Sequence, residues 1–177
     1  KFARLKTVVI SGSLVLITVV ASMLVLEVGL RVFAPQNLYP VSFANDPTIG
    51  YRYKPNLNVW TKTKEYHTRL RTNSRGFRDE DHSFPKPPDT FRILTLGDSF
   101  TSGDGVELPQ VFHQILETRL NNKNPTARFE TISAGVSGWG LSNSLAYLIN
   151  EGIHYNPDLL IVQIYVDHHY RDRSNGL

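Results

Sequence analysis

A serine near the middle of the chain has the surroundings of a nucleophile. Ser99 follows Gly97 and Asp98, directly after an apolar stretch at residues 91–96. A serine in a tight turn between a strand and a helix presents its hydroxyl at the top of a sheet, and the N-terminus of the following helix favours developing negative charge. The tripeptide alone is also compatible with an ordinary turn whose polar side chain caps a helix.

A second polar group lies near the C-terminal end of the sequence and comprises Asp167, His168, His169 and Asp172. Histidine and carboxylate side chains bind metal ions, but adjacent residues of an extended segment point to opposite sides. A polar loop is therefore the favoured interpretation, and we predict no metal site and no cofactor. The sequence contains no cysteine, which excludes disulfides, thiolate zinc sites and a cysteine nucleophile.

The elements that position these residues follow from the hydrophobic pattern. Strands are predicted at 91–96, 128–134 and 158–166, and amphipathic helices at 107–121 and 141–154. This β-α-β-α-β order predicts an α/β domain with a right-handed, doubly wound parallel sheet. The third run is almost continuously apolar, which is typical of a strand buried on both faces.

Side-chain positions follow from the same pattern. The helix stripes are expected in the core; they consist of Val111, Phe112, Ile115, Leu116, Leu120, Leu145, Leu148 and Ile149. His113 and His154 are expected at the surface or its boundary. Trp139 and Tyr165 are expected either to line a cleft or to pack in the core.

Sites of parallel sheets form at the carboxyl ends of the strands. Three segments fall there, at 97–105, 135–140 and 167–172. We therefore expect a site where these segments meet.

The N-terminal segment predicts a membrane anchor. Residues 7–26 carry no formal charge, and about 20 residues of helix span roughly the 30 Å of a bilayer's hydrocarbon core. Lys1, Arg4 and Lys6 precede the span, so the N-terminus is expected on the cytoplasmic side. A cleaved signal peptide is the alternative, but the span is long for one and Pro35 follows the nearest small-residue site, at Ala34.

The predicted organisation has three parts. Residues 1–34 hold the basic end and the membrane helix, residues 35–90 form an extracytoplasmic connector, and residues 91–177 form the α/β domain. Alternating stretches at 58–63 and 67–72 predict a β-hairpin in the connector. The formal net charge is only +3 and the basic residues are scattered, so the sequence predicts no nucleic-acid binding.

Several motifs together resemble the SGNH/GDSL hydrolases. Residues 92–101 read R-I-L-T-L-G-D-S-F-T and are similar to the first signature block of that family. Residues 132–140 (I-S-A-G-V-S-G-W-G) resemble the second block, and residues 157–167 lie where the third belongs. Upstream, the segments 46–51, 54–56 and 72–79 resemble the lead-in of the family's single-span, exported branch.

The resemblance implies a role for each matching residue. Ser99 would be the nucleophile and would donate its backbone N–H to an oxyanion hole, and Gly138 would supply a second N–H. The third block normally supplies an asparagine donor, but Asp167 stands there, and an ionised carboxylate cannot donate. A shift of one position would place Val166 or His168 there instead; valine has no donor, whereas His168 could provide one.

The family's histidine base is also missing from its usual place. No Asp-x-x-His follows the third block before Leu177, and the one such spacing, Asp79 to His82, lies upstream of Ser99. We interpret Asp79 and His82 as a charged turn. A serine without a base is a poor nucleophile.

The sequence therefore predicts a single-pass membrane protein whose body is extracytoplasmic, or periplasmic in a bacterium. We expect a non-catalytic pseudoenzyme of SGNH type, bound to the bilayer through residues 7–26 and serving as a binding or structural subunit among other membrane proteins. The alternative is a serine esterase acting on acylated glycans or lipids, with its base on a segment beyond Leu177.

Overall fold

The structure is a computed structural model that describes residues 2–33 and 42–165. It divides into two compact units, Lys1–Leu38 and Tyr39–Leu177, and the second unit is called the body below. Asp167, His168 and His169 lie outside the described residues.

The first unit contains one long helix, α1 (Phe2–Phe33). Its stretch Val9–Phe33 has 25 residues, a mean hydropathy of 2.5, and an apolar surface that is not buried in the protein. At about 1.5 Å per residue this stretch is long enough to cross a bilayer. Length and composition alone would also suit a signal sequence. Arg31 Nε lies 2.6 Å from Glu27 Oε1, an ion pair of the i,i+4 type.

The body is a mixed α/β structure. Its elements are β1 (Phe43–Asp46), β2 (Gly50–Tyr53), β3 (Asn58–Lys62), β4 (His67–Arg71), β5 (Thr90–Gly97), α2 (Ser99–Ser102), α3 (Phe112–Lys123), β6 (Arg128–Gly135), α4 (Leu141–Asn150) and β7 (Leu159–Val162). Short 3-10 turns at Leu108–Gln110 and Gly152–Tyr155 precede α3 and follow α4.

The three predicted strands form one parallel sheet with the order β6-β5-β7. This confirms the prediction of a parallel sheet. The ends of β5 and β6 lie side by side, since Gly97 pairs with Gly135. β7 ends at Val162, four residues earlier than predicted.

The helices α3 and α4 contact different faces of this sheet. The Thr131 hydroxyl in β6 donates to the His113 carbonyl in α3 at 3.0 Å. The next residue, Ile132, belongs instead to a core that contains Tyr147 of α4. Successive residues of a strand point to opposite faces, so α3 and α4 lie against opposite faces.

Four predictions of burial are wrong. In α3, Phe112 and Ile115 of the predicted core stripe are 38% and 37% exposed. Leu159, Leu160 and Val162 of β7 are 37–45% exposed, because β7 is an edge strand with no described neighbour on its outer side. In α4, Leu145 and Ile149 are exposed while Ser144 and Tyr147 face the core.

His113 is the fourth correction, because its side chain is fully buried. It lies in the part of α3 that packs directly on β6, where the Thr131 hydroxyl bonds to its carbonyl. His154 is exposed, as expected.

Two antiparallel hairpins precede the sheet. β1 pairs with β2, and β3 pairs with β4 across the two alternating stretches identified in the sequence. Ile49, Tyr53 and Phe77 from this region belong to the same buried cluster as Leu94 and Trp139. The residues before β5 therefore contribute to the core of the body.

Candidate functional site

Ser99 lies at the carboxyl end of β5, where α2 begins. The Asp98 side chain caps this short helix by accepting a hydrogen bond of 2.9 Å from the Phe100 backbone N–H. Ser99 is half-buried. Its hydroxyl and its backbone N–H make no hydrogen bond to another described residue.

The end of β6 packs tightly on the turn that holds Ser99. The Val136 N–H donates to the Gly97 carbonyl at 3.3 Å. A Cβ added at Gly135 would lie 2.4 Å from the Ser102 backbone nitrogen, closer than van der Waals contact. Glycine at this position is what allows α2 to lie directly against β6.

Gly138 is at the apex of the loop that follows β6 and has a φ of +84°, which favours glycine. Its backbone N–H makes no hydrogen bond to another described residue. A Cβ there would also come within 2.8 Å of the Tyr51 hydroxyl. Both constraints require glycine at position 138.

Residues of β2 hold the Gly138 loop in place. The Tyr51 hydroxyl donates to the Ser137 carbonyl at 3.1 Å, and the Trp139 indole N–H donates to the Tyr51 carbonyl at 2.7 Å. The Tyr53 hydroxyl accepts a 3.1 Å hydrogen bond from the Ser137 N–H. The lead-in segment thus positions the loop, and Trp139 is a buried core residue.

The chain that leaves β7 also passes beside the Ser99 turn. The Gln163 N–H donates to the Leu96 carbonyl at 2.9 Å, and Gln163 Oε1 accepts from the Thr101 hydroxyl at 3.3 Å. Half-exposed Tyr165 contacts Phe100, with ring centroids 5.6 Å apart. The structure therefore brings the ends of all three strands together.

His82 lies beside β6 rather than at the Ser99 turn. Its Nδ1 is 2.8 Å from Glu130 Oε1 and its Nε2 is 3.2 Å from Asp79 Oδ2. Glu130 pairs with Arg92 in the sheet. Arg92 precedes Gly97 by five residues, a distance of about 16 Å along a strand that rises about 3.3 Å per residue. His82 is therefore not placed to act as a base for Ser99.

The charged turn around His82 is part of a buried network rather than a solvated surface. Asp79 is buried and accepts a 2.7 Å hydrogen bond from the Ser133 N–H, while Arg92 Nε donates to Glu130 at 2.7 Å. Burial alone would lower the pKa of His82, but Asp79 and Glu130 together raise it to about 9. His82 is therefore protonated at neutral pH.

The other described histidines are also separate from Ser99. The His67 ring packs against Trp60 with centroids 4.8 Å apart and an interplanar angle of 44°, and burial lowers the pKa of His113. Among residues 2–33 and 42–165, no histidine forms a hydrogen bond with Ser99. Within the same ranges there is no group of three His, Cys, Asp or Glu residues that could hold a metal ion.

A cavity of about 370 Å³ opens beside Gly138, and we call it the hairpin pocket. Its lining comprises Ser42, Phe43, Tyr53, Thr61, Tyr66, Thr68, Leu70, Arg78, Asp104, Gly105, Ser137 and Gly138. Both hairpins and the loops after β5 and β6 thus contribute to it.

A chain of hydroxyl groups forms one side of this pocket. The Ser137 hydroxyl donates to Asp104 Oδ2 at 2.5 Å, and the Ser102 hydroxyl donates to Asp104 Oδ1 at 3.2 Å. The Tyr53 hydroxyl lies 2.5 Å from Ser137 Oγ and 3.1 Å from Ser102 Oγ. Burial and the charge of Asp104 raise the pKa of Tyr53, so its hydroxyl keeps its proton at neutral pH.

Arg78 is a buried residue of the pocket lining and connects several loops. Its guanidinium donates to the carbonyl oxygens of Ser102, Gly103, Arg69 and Val106. Burial lowers the pKa of Arg78, while nearby Asp104 acts in the opposite direction. The four carbonyl contacts use both terminal nitrogens of the side chain.

Sequence reasoning missed Tyr51, Tyr53 and Gln163 as parts of this region. Asp104 and Ser137 lie in the predicted segments 97–105 and 135–140, but neither residue was singled out. The Tyr51 and Tyr53 contacts to Ser137 span 86 and 84 positions. The available signal was the lead-in segment 46–51, which contains Tyr51; Tyr53 lies between that segment and the next one, 54–56. The resemblance marked that segment without indicating what it contacts.

No protein-family model matches the sequence, and a search of curated proteins gives no match.

Proposed function

We propose that this chain is a membrane-anchored, extracytoplasmic SGNH/GDSL-like protein that catalyses no hydrolysis by itself. It serves as a binding or structural subunit of a membrane assembly. The observation that carries this proposal is the isolation of Ser99. Within the described residues its hydroxyl has no hydrogen-bonding partner, and the contacts of His82 are with Glu130 and Asp79 beside β6.

The family assignment rests on the order of the motifs and is supported by where they lie in the fold. The first block spans the carboxyl end of β5 and the start of α2, and the second ends in the loop after β6. The helices α3 and α4 contact opposite faces of the parallel sheet, as a doubly wound fold requires. We propose that the body is such a fold.

The anchoring role is supported by α1. An unburied apolar stretch of 25 residues is costly in water and favourable in a bilayer. The basic residues Lys1, Arg4 and Lys6 at its start support a cytoplasmic N-terminus. The body then lies outside the cytoplasm.

The non-catalytic role is supported by the lack of a base hydrogen-bonded to Ser99 among the described residues. An alcohol becomes an effective nucleophile at neutral pH when a base lies within about 2.6–3.2 Å. In addition, the resemblance places Asp167 where the family normally has an asparagine donor. Loss of one oxyanion donor typically costs about 10²–10³ in rate, and a carboxylate would repel the oxyanion as well.

The test uses the full chain in lipid nanodiscs with p-nitrophenyl acetate and p-nitrophenyl butyrate as substrates. We expect hydrolysis at the rate of a Ser99→Ala variant, and Ser102→Ala serves as a matched serine control outside the predicted catalytic role. A rate that Ser99→Ala abolishes and Ser102→Ala retains would contradict the non-catalytic role.

A serine acyl hydrolase acting on acylated glycans or lipids is the second candidate. The observation that favours it is the pair of backbone N–H groups at Ser99 and Gly138, which donate to no other described residue. Such groups can serve as oxyanion donors. This candidate requires a base outside the described residues, and its hydrolysis of the same aryl esters would depend on Ser99.

A further inference from the structure

We infer that the hairpin pocket binds a neutral sugar unit through its hydroxyl groups. This deepens the proposed binding role and does not depend on whether Ser99 is reactive. The pocket's volume of about 370 Å³ falls within the range of about 300–1,000 Å³ that is usual for small-ligand sites.

On the polar side of the pocket, the Asp104 carboxylate is a hydrogen-bond acceptor whose orientation is fixed by neighbouring hydroxyl groups. Asp104 is exposed and accepts hydrogen bonds from Ser137 and Ser102. An ionised carboxylate has about four acceptor positions, so positions remain for donors from a ligand. Sugar hydroxyls are such donors, and neighbouring hydroxyls can bind the two oxygens of one carboxylate.

Tyr53 fixes the direction of this acceptor. It keeps its proton and lies within hydrogen-bonding distance of Ser137 and Ser102, while its oxygen accepts the Ser137 N–H. The carboxylate therefore stands at the end of a connected set of hydrogen bonds. Such preorganisation lowers the cost of ordering the site when a ligand binds.

The other side of the pocket is aromatic and apolar. Phe43 stacks on Tyr53 with centroids 5.1 Å apart and an interplanar angle of 19°, and both rings line the pocket. The Tyr66 ring packs on Gly105, where an added Cβ would lie 3.1 Å from the ring. A sugar ring has an apolar C–H face that suits these rings and polar edges that suit Asp104.

Charge argues against an anionic ligand. Asp104 lies in the pocket wall, and the terminal nitrogens of Arg78 already donate to carbonyl oxygens. Among the described residues that line the pocket, Arg78 is the one cationic side chain. An anion would therefore meet a carboxylate without gaining a new cation.

An acyl chain is also less suitable. It would cover the Asp104 carboxylate with methylene groups and supply no hydrogen-bond donor, and covering an ionised group without a partner is costly. Thr61 and Thr68 add further hydroxyls to the lining. The pocket as a whole therefore favours a ligand with several hydroxyls and one apolar face.

The test is calorimetric titration of the full chain in nanodiscs with tetrasaccharides of glucose, N-acetylglucosamine, mannose and galactose. Dodecanoate is the acyl probe. We expect at least one tetrasaccharide to bind with a Kd below about 1 mM. Tyr66→Ala and Asp104→Asn should each weaken that binding about tenfold or more, because each removes a ligand contact.

Matched controls lie on the same body outside the pocket. Tyr165→Ala removes a half-exposed tyrosine and Asp81→Asn changes an exposed aspartate, and both should bind as the wild type does. Circular dichroism spectra of all four variants check that they are folded. Aryl ester hydrolysis is measured on the same samples, so failure of the non-catalytic proposal is seen separately from failure of sugar binding.

Three results would overturn the inference. One is the absence of binding for all four tetrasaccharides, and another is binding that neither Tyr66→Ala nor Asp104→Asn weakens. The third is binding of dodecanoate alone, with loss in Tyr66→Ala, which would assign the pocket to an acyl chain.

Discussion

The indole N–H of Trp139 donates a 2.7 Å hydrogen bond to the backbone carbonyl of Tyr51. This bond joins the strand β2 to the loop that carries Gly138, across 88 positions of sequence. The Trp139 side chain is buried, and its ring also packs near Phe77 and Tyr147. Loop geometry at the candidate site therefore depends on a residue that precedes the α/β segment.

Trp139→Phe should destabilise the body. The change leaves the Tyr51 carbonyl without its donor, at a cost of about 1–3 kcal/mol, and it opens a small cavity. Chemical denaturation followed by near-ultraviolet circular dichroism measures the free energy of unfolding. Trp60→Phe is the control, because Trp60 is 60% exposed, and exposed substitutions usually change stability by no more than about 0.5 kcal/mol. Equal effects of the two variants would contradict the structural role of Trp139.

Stability should also depend on pH through His82. Its pKa is about 9 in the folded protein against 6.5 for the free side chain. A raised pKa contributes stability below pH 6.5, and the contribution disappears as the pH rises through 9. The free energy of unfolding should therefore fall over this interval, by about 3 kcal/mol at most.

A His82→Gln variant tests the origin of that pH dependence. Its free energy of unfolding should change little between pH 6.5 and 9, while His154→Gln should retain the wild-type slope because His154 is exposed. If the wild type and His82→Gln show the same slope, the contacts with Asp79 and Glu130 do not raise the pKa of His82.

The membrane arrangement has its own test. Protease added to intact cells should digest the body and leave α1 protected, and alkaline carbonate should not extract the uncleaved chain. Extraction of a body that has lost α1 would identify a cleaved signal sequence. Protection of the body in intact cells, with digestion after permeabilisation, would reverse the proposed orientation.

The parallel sheet could be predicted because β5 and β6 are apolar runs that end in glycine and are separated by helical patterns. The exposure of β7 could not be predicted, because an apolar run does not reveal whether another strand covers its outer edge. The α4 stripe failed for a related reason: Leu145 and Ile149 match the helical period, but Tyr147 and Ser144 face the core instead.

The candidate site was predictable only in part. Ser99 and Gly138 were identified from their motifs, and the sheet explains why their loops meet. The supporting contacts of Tyr51, Tyr53 and Arg78 join distant parts of the chain, and no local pattern encodes them. His113 was misplaced because a polar residue on a helix is usually exposed, whereas here close packing of α3 on β6 buries it.

The most direct test of the proposed function is the intact mass of the full chain in nanodiscs after incubation with a fluorophosphonate probe. We predict no adduct for the wild type or for Ser99→Ala, because within the described residues no base hydrogen-bonds to Ser99. A stoichiometric adduct on the wild type, absent in Ser99→Ala and present in Ser102→Ala, would contradict the non-catalytic role and identify Ser99 as an activated nucleophile.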